Sequence, residues 1–182
     1  MTPQPILTGS TLVLGGARSG KSGYAEALVE SRAGAFLYLA TATAGDAEMA
    51  ERIARHRERR GPRWATVEEP LALVETVRRL AGPGRTVLVD CLTLWLSNLM
   101  AAERDIDREI ADLAAALPTL AGPVVLVSNE VGQGIVPDNP LARAFRDNAG
   151  RLNQAVAAMV PGVVFMAAGL PLILKSPPTT EH

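Results

Sequence analysis

The chain has 182 residues, 48% of them hydrophobic, and a formal net charge of −1. That is enough for a core and too apolar for disorder, so one domain is expected over residues 1–182. The balanced charge argues against a general polyanion binder, seven aromatic residues are too few for single-strand stacking platforms, and the lone cysteine, Cys91, excludes an internal disulfide and any cysteine-rich metal site.

No apolar run approaches the roughly 20 residues of a membrane span. The start, MTPQPILTGS, lacks the basic residues and long apolar stretch of a signal peptide. Neither nucleic acid nor a membrane is an expected partner, and a cytoplasmic location is expected. Only two of the eighteen basic residues are lysines, Lys21 and Lys175.

Short β-type runs alternate with helical ones. TLVLG (Thr11 to Gly15) reads as a buried strand, SGYAEALVESR as a helix and AFLYLAT as a second strand. DAEMAERIARHRER reads as a helix opened by Asp46 as N-cap and stopped by Gly61-Pro62. RWATVEE is a short strand, LALVETVRRL a helix closed by the turn AGPGR, and TVLVD a strand. LTLWLSNLMAA and IDREIADLAAAL are helical, PVVLVSN is a strand, LARAFRDNAGRLNQAVAAMV is a helix, and GVVFMAAG and LILK are strands. Unbroken Val/Ile/Leu strands separated by helices point to an α/β sandwich of three layers with a mostly parallel central sheet.

GGARSGKS holds Gly15-x-x-x-x-Gly20-Lys21-Ser22, the full phosphate-loop pattern, between a strand and a helix. Glycines let the loop turn its N–H groups inward around phosphate oxygens, and the helix that follows adds its positive end. Lys21 is expected on the β- and γ-phosphates, with the Ser22 hydroxyl on Mg²⁺. Asp90 closes TVLVD at the strand edge where open α/β sheets place ligands. It reads as the carboxylate that holds the metal, directly or through water; the plainer reading is a strand-end turn. This pattern leaves kinase, GTPase, ATPase and nucleotidyltransferase open.

His56 is one of two histidines; the other is the terminal His182. In a helix, Met49, Ile53 and His56 share a face and Arg60 follows one turn on, with Arg55, Arg57 and Arg59 around it. The plain reading is a hydrogen-bonded core histidine. The functional one is a nucleophile: imidazole is substantially neutral at pH 7, nearby arginines lower its pKa and hold phosphate oxygens, and attack on an α-phosphate would give a nucleotidyl phosphoramidate and pyrophosphate.

Asn129 and Glu130 end a strand on the ligand edge, and Gly132 to Pro140 form a loop suited to shaping a substrate pocket. Arg143, Asp147 and Arg151 recur along one helix face, either as a solvated salt-pair ladder or as contacts to substrate or a second subunit. Trp95 is read as core in preference to a ligand stack.

Taken together, GGARSGKS, LYLATA, ERIARHRERRGPRW, VDCLTLWLSNL and NEVGQGIVPDNPLARAFRDNAGRLNQ resemble the bifunctional adenosylcobinamide kinase / adenosylcobinamide-phosphate guanylyltransferase family, in its order and spacing, from Thr11 to about Lys175. The phosphate loop is common to many families, whereas the block from Asn129 onward is far more specific.

The resemblance implies phosphorylation of the aminopropanol hydroxyl of adenosylcobinamide by ATP or GTP. Transfer of GMP from GTP follows, through a guanylyl-histidine at His56, to give adenosylcobinamide-GDP. It implies nucleotide contacts from Gly15, Gly16, Ala17, Arg18, Ser19, Gly20, Lys21 and Ser22; from Ala40, Thr41 and Ala42; from Arg57, Glu58, Arg59 and Arg60; and from Glu68 and Asp90. Catalysis would rest on His56 and Lys21, and Mg²⁺ on Ser22 and Asp90. Asp90 stands where family members often carry glutamate. Arg55 stands where a second histidine can occur, which leaves His56 alone to be modified. A propeller-shaped homotrimer is implied as well.

Two other readings remain at this point: a kinase in which His56 is structural, and a nucleotide-switched binding module. The sequence has no NKxD-type guanine-reading motif to favour the latter.

Overall fold

The computed structural model describes residues 9–42 and 62–176. In chain order these form β1 (Thr11–Gly15), α1 (Lys21–Glu30), β2 (Ala35–Ala40), β3 (Trp64–Glu68), α2 (Leu73–Leu80), β4 (Arg85–Asp90), α3 (Leu92–Ala101), α4 (Ile106–Ala116), a 3-10 turn (Leu117–Thr119), β5 (Val124–Asn129), α5 (Pro140–Met159), β6 (Gly162–Ala167) and β7 (Leu170–Lys175). The helix expected from Asp46 lies outside the described residues. Most element ends fall within one or two residues of expectation, and two of the shifts have a visible cause. The helix read from Leu71 begins at Leu73, because Glu69 Oε1 accepts from the N–H groups of Leu71 and Ala72 and holds them in a turn. The last strand starts at Leu170, because Ala168 and Gly169 both take positive φ (52° and 79°), the two-residue hairpin turn that returns the chain at once.

The strands form one sheet in the order β3-β2-β4-β5-β1-β6-β7, parallel throughout except that β7 runs antiparallel to β6. Successive strand residues point to opposite faces. Leu12, Leu14, Val87, Val89, Val124 and Leu126 pack with residues of α2, α3, α4 and α5, including the fully buried Trp95. Val13, Leu88, Val125 and Val127 pack with Tyr24, Ala25, Leu28 and Val29 of α1. The five inner strands are thus buried on both faces, as their unbroken apolar runs require, whereas β3 is only partly covered and β7 is exposed. Trp95 is core: its Nε1 donates to the Leu71 carbonyl at 2.9 Å. Among the described residues no helix is long and apolar enough to cross a membrane.

Candidate nucleotide site

The alternation that builds the core also aims the strand ends. Gly15 in β1, Asp90 in β4 and Asn129 in β5 each lie an even step from an α1-facing core residue, so all three share the α1 face at the C-terminal edge of the sheet. In the parallel ladders Gly15 is level with Asn129, Asp90 with Val127, and Ala40 with both Asp90 and Glu68. The edge therefore carries phosphate loop, Asn129, Asp90 and Glu68 in spatial succession. At about 4.8 Å per strand, Asp90 sits roughly 10 Å from β1 and Glu68 roughly 19 Å.

The loop from Gly15 to Gly20 is tightly determined. A Cβ at Gly15 would fall 2.5 Å from Ser19 Oγ and 2.7 Å from the Met166 carbonyl oxygen, so only glycine fits. Arg18 (φ 56°) and Gly20 (φ 91°) turn the backbone through the left-handed region. Ser19 N–H donates to Gly16 O (3.3 Å), and Gly169 N–H, from the last hairpin turn, donates to Ser19 O (3.0 Å). Lys21 Nζ donates to Gly16 O at 3.2 Å and so lies back over the loop. The N-cap of α1, Gly20, supplies no side-chain cap, which leaves the first N–H groups of the helix to an anion. Ser19 Oγ is buried without a hydrogen-bond partner among the described residues. Gly16, Ala17 and Ser22 complete the loop and the first turn of α1.

Asp90 is held by Tyr38, whose phenol donates to Oδ2 at 2.7 Å. Thr41 is fully buried, and its hydroxyl donates to Cys91 O (2.7 Å) while accepting from Cys91 N–H (2.9 Å). Asn98 Nδ2 donates to Thr41 O (2.7 Å) and Pro70 O (3.1 Å). The Thr41 side chain is thereby committed to fixing the β4–α3 junction. Ala40 is buried and Ala42 half-buried. Burial first, then the adjacent Asp90 carboxylate, push the Cys91 thiol upward in pKa.

A buried polar ring closes around the end of β5. Thr93 Oγ1 accepts from Asn129 N–H (2.8 Å) and lies 3.4 Å from Ser128 Oγ; Ser128 Oγ donates to Asn153 Oδ1 (2.7 Å); Asn153 Nδ2 donates to Asn129 O (3.2 Å). Sequence reasoning missed this ring, because its members lie on α3, β5 and α5. Of the readings open to Arg143, Asp147 and Arg151, the salt-pair ladder does not form among the described residues. Arg143 Nη1 donates to the carbonyls of Pro137 (2.8 Å) and Asp138 (2.7 Å), Asp147 pairs with Arg146, and Arg151 pairs with Asp107 of α4. The 132–140 loop is thus tied to its own helix, whose N-cap Asn139 accepts from Leu141 N–H at 2.7 Å.

The structure brings together the phosphate loop, Lys21, Ser22 and Asp90, and sets Glu68 far along the same edge. His56, Arg57, Glu58, Arg59 and Arg60 lie outside the described residues. A solvent-open cavity of about 520 Å³, partly lined by Ser10, Leu117 and Pro161, lies toward the N-terminal edge of β1, away from this row.

Comparison with known proteins agrees with the fold and shows the family. The phi6 bacteriophage P4 protein, solved with ADP, matches with a TM-score of 0.51 at 16% identity, over 94% of this chain and 55% of that one. A Pyrococcus horikoshii protein matches with a TM-score of 0.54 at 9% identity, over 93% of this chain and 87% of that one. These likenesses concern the fold.

In sequence, the chain is 52% identical over 169 residues to the bifunctional adenosylcobalamin biosynthesis protein CobP of Pseudomonas aeruginosa, covering 92% of this chain and 98% of that protein. It is 42% identical over 179 residues to the Escherichia coli protein CobU of the same description, covering 90% and 98%. The profile described as cobinamide kinase / cobinamide phosphate guanyltransferase matches residues 11–174, from the first residue of the phosphate-loop strand to the penultimate residue of β7, and the chain belongs to that family.

Proposed function

We propose that this chain acts on adenosylcobinamide in two steps. In the first, the aminopropanol hydroxyl oxygen forms a bond to the γ-phosphorus of ATP or GTP. The bond from that phosphorus to the bridging oxygen breaks, its electron pair stays on the nucleoside diphosphate, and the hydroxyl proton is released. In the second, a ring nitrogen of neutral His56 attacks the α-phosphorus of GTP and pyrophosphate leaves. The phosphate oxygen of adenosylcobinamide phosphate then displaces the histidine, giving adenosylcobinamide-GDP. The observation that carries this reading is the family match over residues 11–174, which spans an intact phosphate loop and His56.

The loop N–H groups and Lys21 hold the β- and γ-phosphates and offset charge on the departing groups. Arg57, Arg59 and Arg60 flank His56 in sequence, and with Glu58 belong to the proposed nucleotide contacts. Glu68, far from β1, suits the nucleoside end of the ligand. Ala40, Thr41 and Ala42 contribute through backbone and methyl surface, since the Thr41 hydroxyl is spent on Cys91.

Ser22 and Asp90 are hard oxygen donors on one face of the sheet, and among the described residues no group of three His, Cys, Asp or Glu could hold a metal alone. That donor set fits Mg²⁺, which binds through one or two protein oxygens plus phosphates. The ion would supply charge neutralisation on the phosphate oxygens. Assembly as a homotrimer and a cytoplasmic location complete the proposal. The exposed apolar residues Leu170, Leu172 and Leu174 of β7 are consistent with a subunit contact.

The test is incubation with Mg²⁺ and GTP labelled at the α-phosphate, followed by denaturation, beside His56→Ala. Acid-labile, alkali-stable label that vanishes in the variant supports the guanylyl-histidine. Intact nucleotide binding with no label on the wild type would reduce His56 to a structural role.

A further inference from the structure

We infer that Asn129 contacts the γ-phosphate and orients it for transfer, a role resting on the nucleotide-site reading above. Its strand, β5, lies between the phosphate-loop strand β1 and the Asp90 strand β4. Asn129 is level with Gly15, and Glu130 N–H donates to Gly15 O at 3.1 Å, so the end of β5 is fastened to the start of the phosphate loop. Strand alternation puts Asn129 on the face that carries α1 and Asp90, while its neighbour Ser128 points to the opposite face and bonds Asn153.

The backbone of Asn129 is clamped on both sides. Its N–H goes to Thr93 Oγ1 and its carbonyl accepts from Asn153 Nδ2, with the buried Ser128 closing the ring. A satisfied buried polar ring specifies one geometry. Holding a strand end this way has little use if the side chain it presents is idle. The Asn129 carboxamide makes no hydrogen bond of its own among the described residues. Glu130 is a poorer candidate: its Oε1 already accepts from Gly132 N–H at 2.6 Å, and a second carboxylate beside Asp90 would repel the phosphates.

A neutral amide donor between the loop and the acid can bond an equatorial γ-oxygen, where charge redistributes during transfer, without competing for metal. The diphosphate formed by transfer has no such oxygen, so the contact is felt only by the triphosphate.

The experiment titrates full-length wild type, Asn129→Ala and Asn129→Asp with a nucleoside diphosphate and a nonhydrolysable triphosphate analogue, both with Mg²⁺, and measures phosphoryl transfer to adenosylcobinamide. In Asn129→Ala, diphosphate affinity should stay within about twofold of wild type, triphosphate affinity should fall about tenfold, and kcat should fall about a hundredfold with KM for the acceptor unchanged. Asn129→Asp should be worse than Ala, since it adds repulsion without changing size. Equal weakening of both nucleotides, or unchanged kcat, would overturn the inference. A wild type that binds both nucleotides with Asn129→Ala indistinguishable from it would overturn the inference alone. A wild type that binds neither would overturn the nucleotide site itself.

Discussion

The phenol of Tyr38 donates to Oδ2 of Asp90 across the β2–β4 ladder at 2.7 Å. The two residues are 52 positions apart, so the bond exists only because the strands are neighbours. It takes up one carboxylate oxygen and leaves Asp90 oriented on the α1 face. Tyr38→Phe keeps the ring and removes the bond. We expect the Mg²⁺ concentration for half-maximal activity to rise several-fold, with metal-free nucleotide affinity unchanged. A magnesium titration of both proteins checks this.

Gly15 and Gly16 are adjacent and should respond in opposite ways. A Cβ at Gly15 meets the Met166 backbone carbonyl at 2.7 Å, whereas none of the described residues lies within 4 Å of one at Gly16. Gly15→Ala should lose at least about tenfold in nucleotide affinity, because backbone must shift, and Gly16→Ala should stay within about twofold. Calorimetric titration with a nucleoside triphosphate reads both.

Lys21 now donates to Gly16 O and must swing only to a bound phosphate. Lys21→Ala should reduce both phosphoryl transfer and guanylylation by roughly a hundredfold or more. Loss of one activity alone would mean that the two reactions use different loops.

Thr41→Val is a stability test. The exchange is nearly isosteric, but it leaves the N–H and carbonyl of Cys91 without their shared partner in the interior. Unsatisfied buried groups of this kind cost about 1–3 kcal/mol each, so we expect about 3 kcal/mol of destabilisation in a denaturant melt. An unchanged midpoint would mean that another group takes over both bonds.

Tyr24 gives the contrary case. Its hydroxyl is buried with no hydrogen-bond partner among the described residues. Tyr24→Phe should therefore be neutral or stabilising by up to about 1 kcal/mol, read as a small upward shift in Tm. A clear loss of stability would show that the hydroxyl has a partner after all.

The phosphate loop was legible because its determinants are local: glycines, a lysine and a flanking strand and helix within a dozen residues. Among the described residues the order of strands and helices was legible for the same reason, since apolar runs of period 2 or 3.6 are read one segment at a time. What joins segments was not. The neighbours of β1 are β5 and β6, more than 100 residues away in sequence, and no spacing within β1 points to them. The Thr93–Ser128–Asn153 ring and the Tyr38–Asp90 bond are products of that pairing. The Arg143–Asp147–Arg151 spacing allowed a ladder, but Arg143 found better acceptors in the loop carbonyls before it and Arg151 found Asp107 on the preceding helix. Helical spacing makes such contacts available without choosing among them.

The hydrogen bond from Gly169 to Ser19 has a consequence for the timing of folding. Among the described strands the one that carries the phosphate loop comes first, yet both of its partners in the sheet and the turn that steadies the loop follow more than 100 residues later. A growing chain on the ribosome would hold β1 exposed, with nothing to pair against, until residue 129 and then residue 169 had emerged. Such long sequence separation slows folding and leaves an apolar strand open to wrong partners in the interval. A chain interrupted before the β6–β7 hairpin would carry every residue of the motif and still lack the bond from Gly169 that steadies the loop.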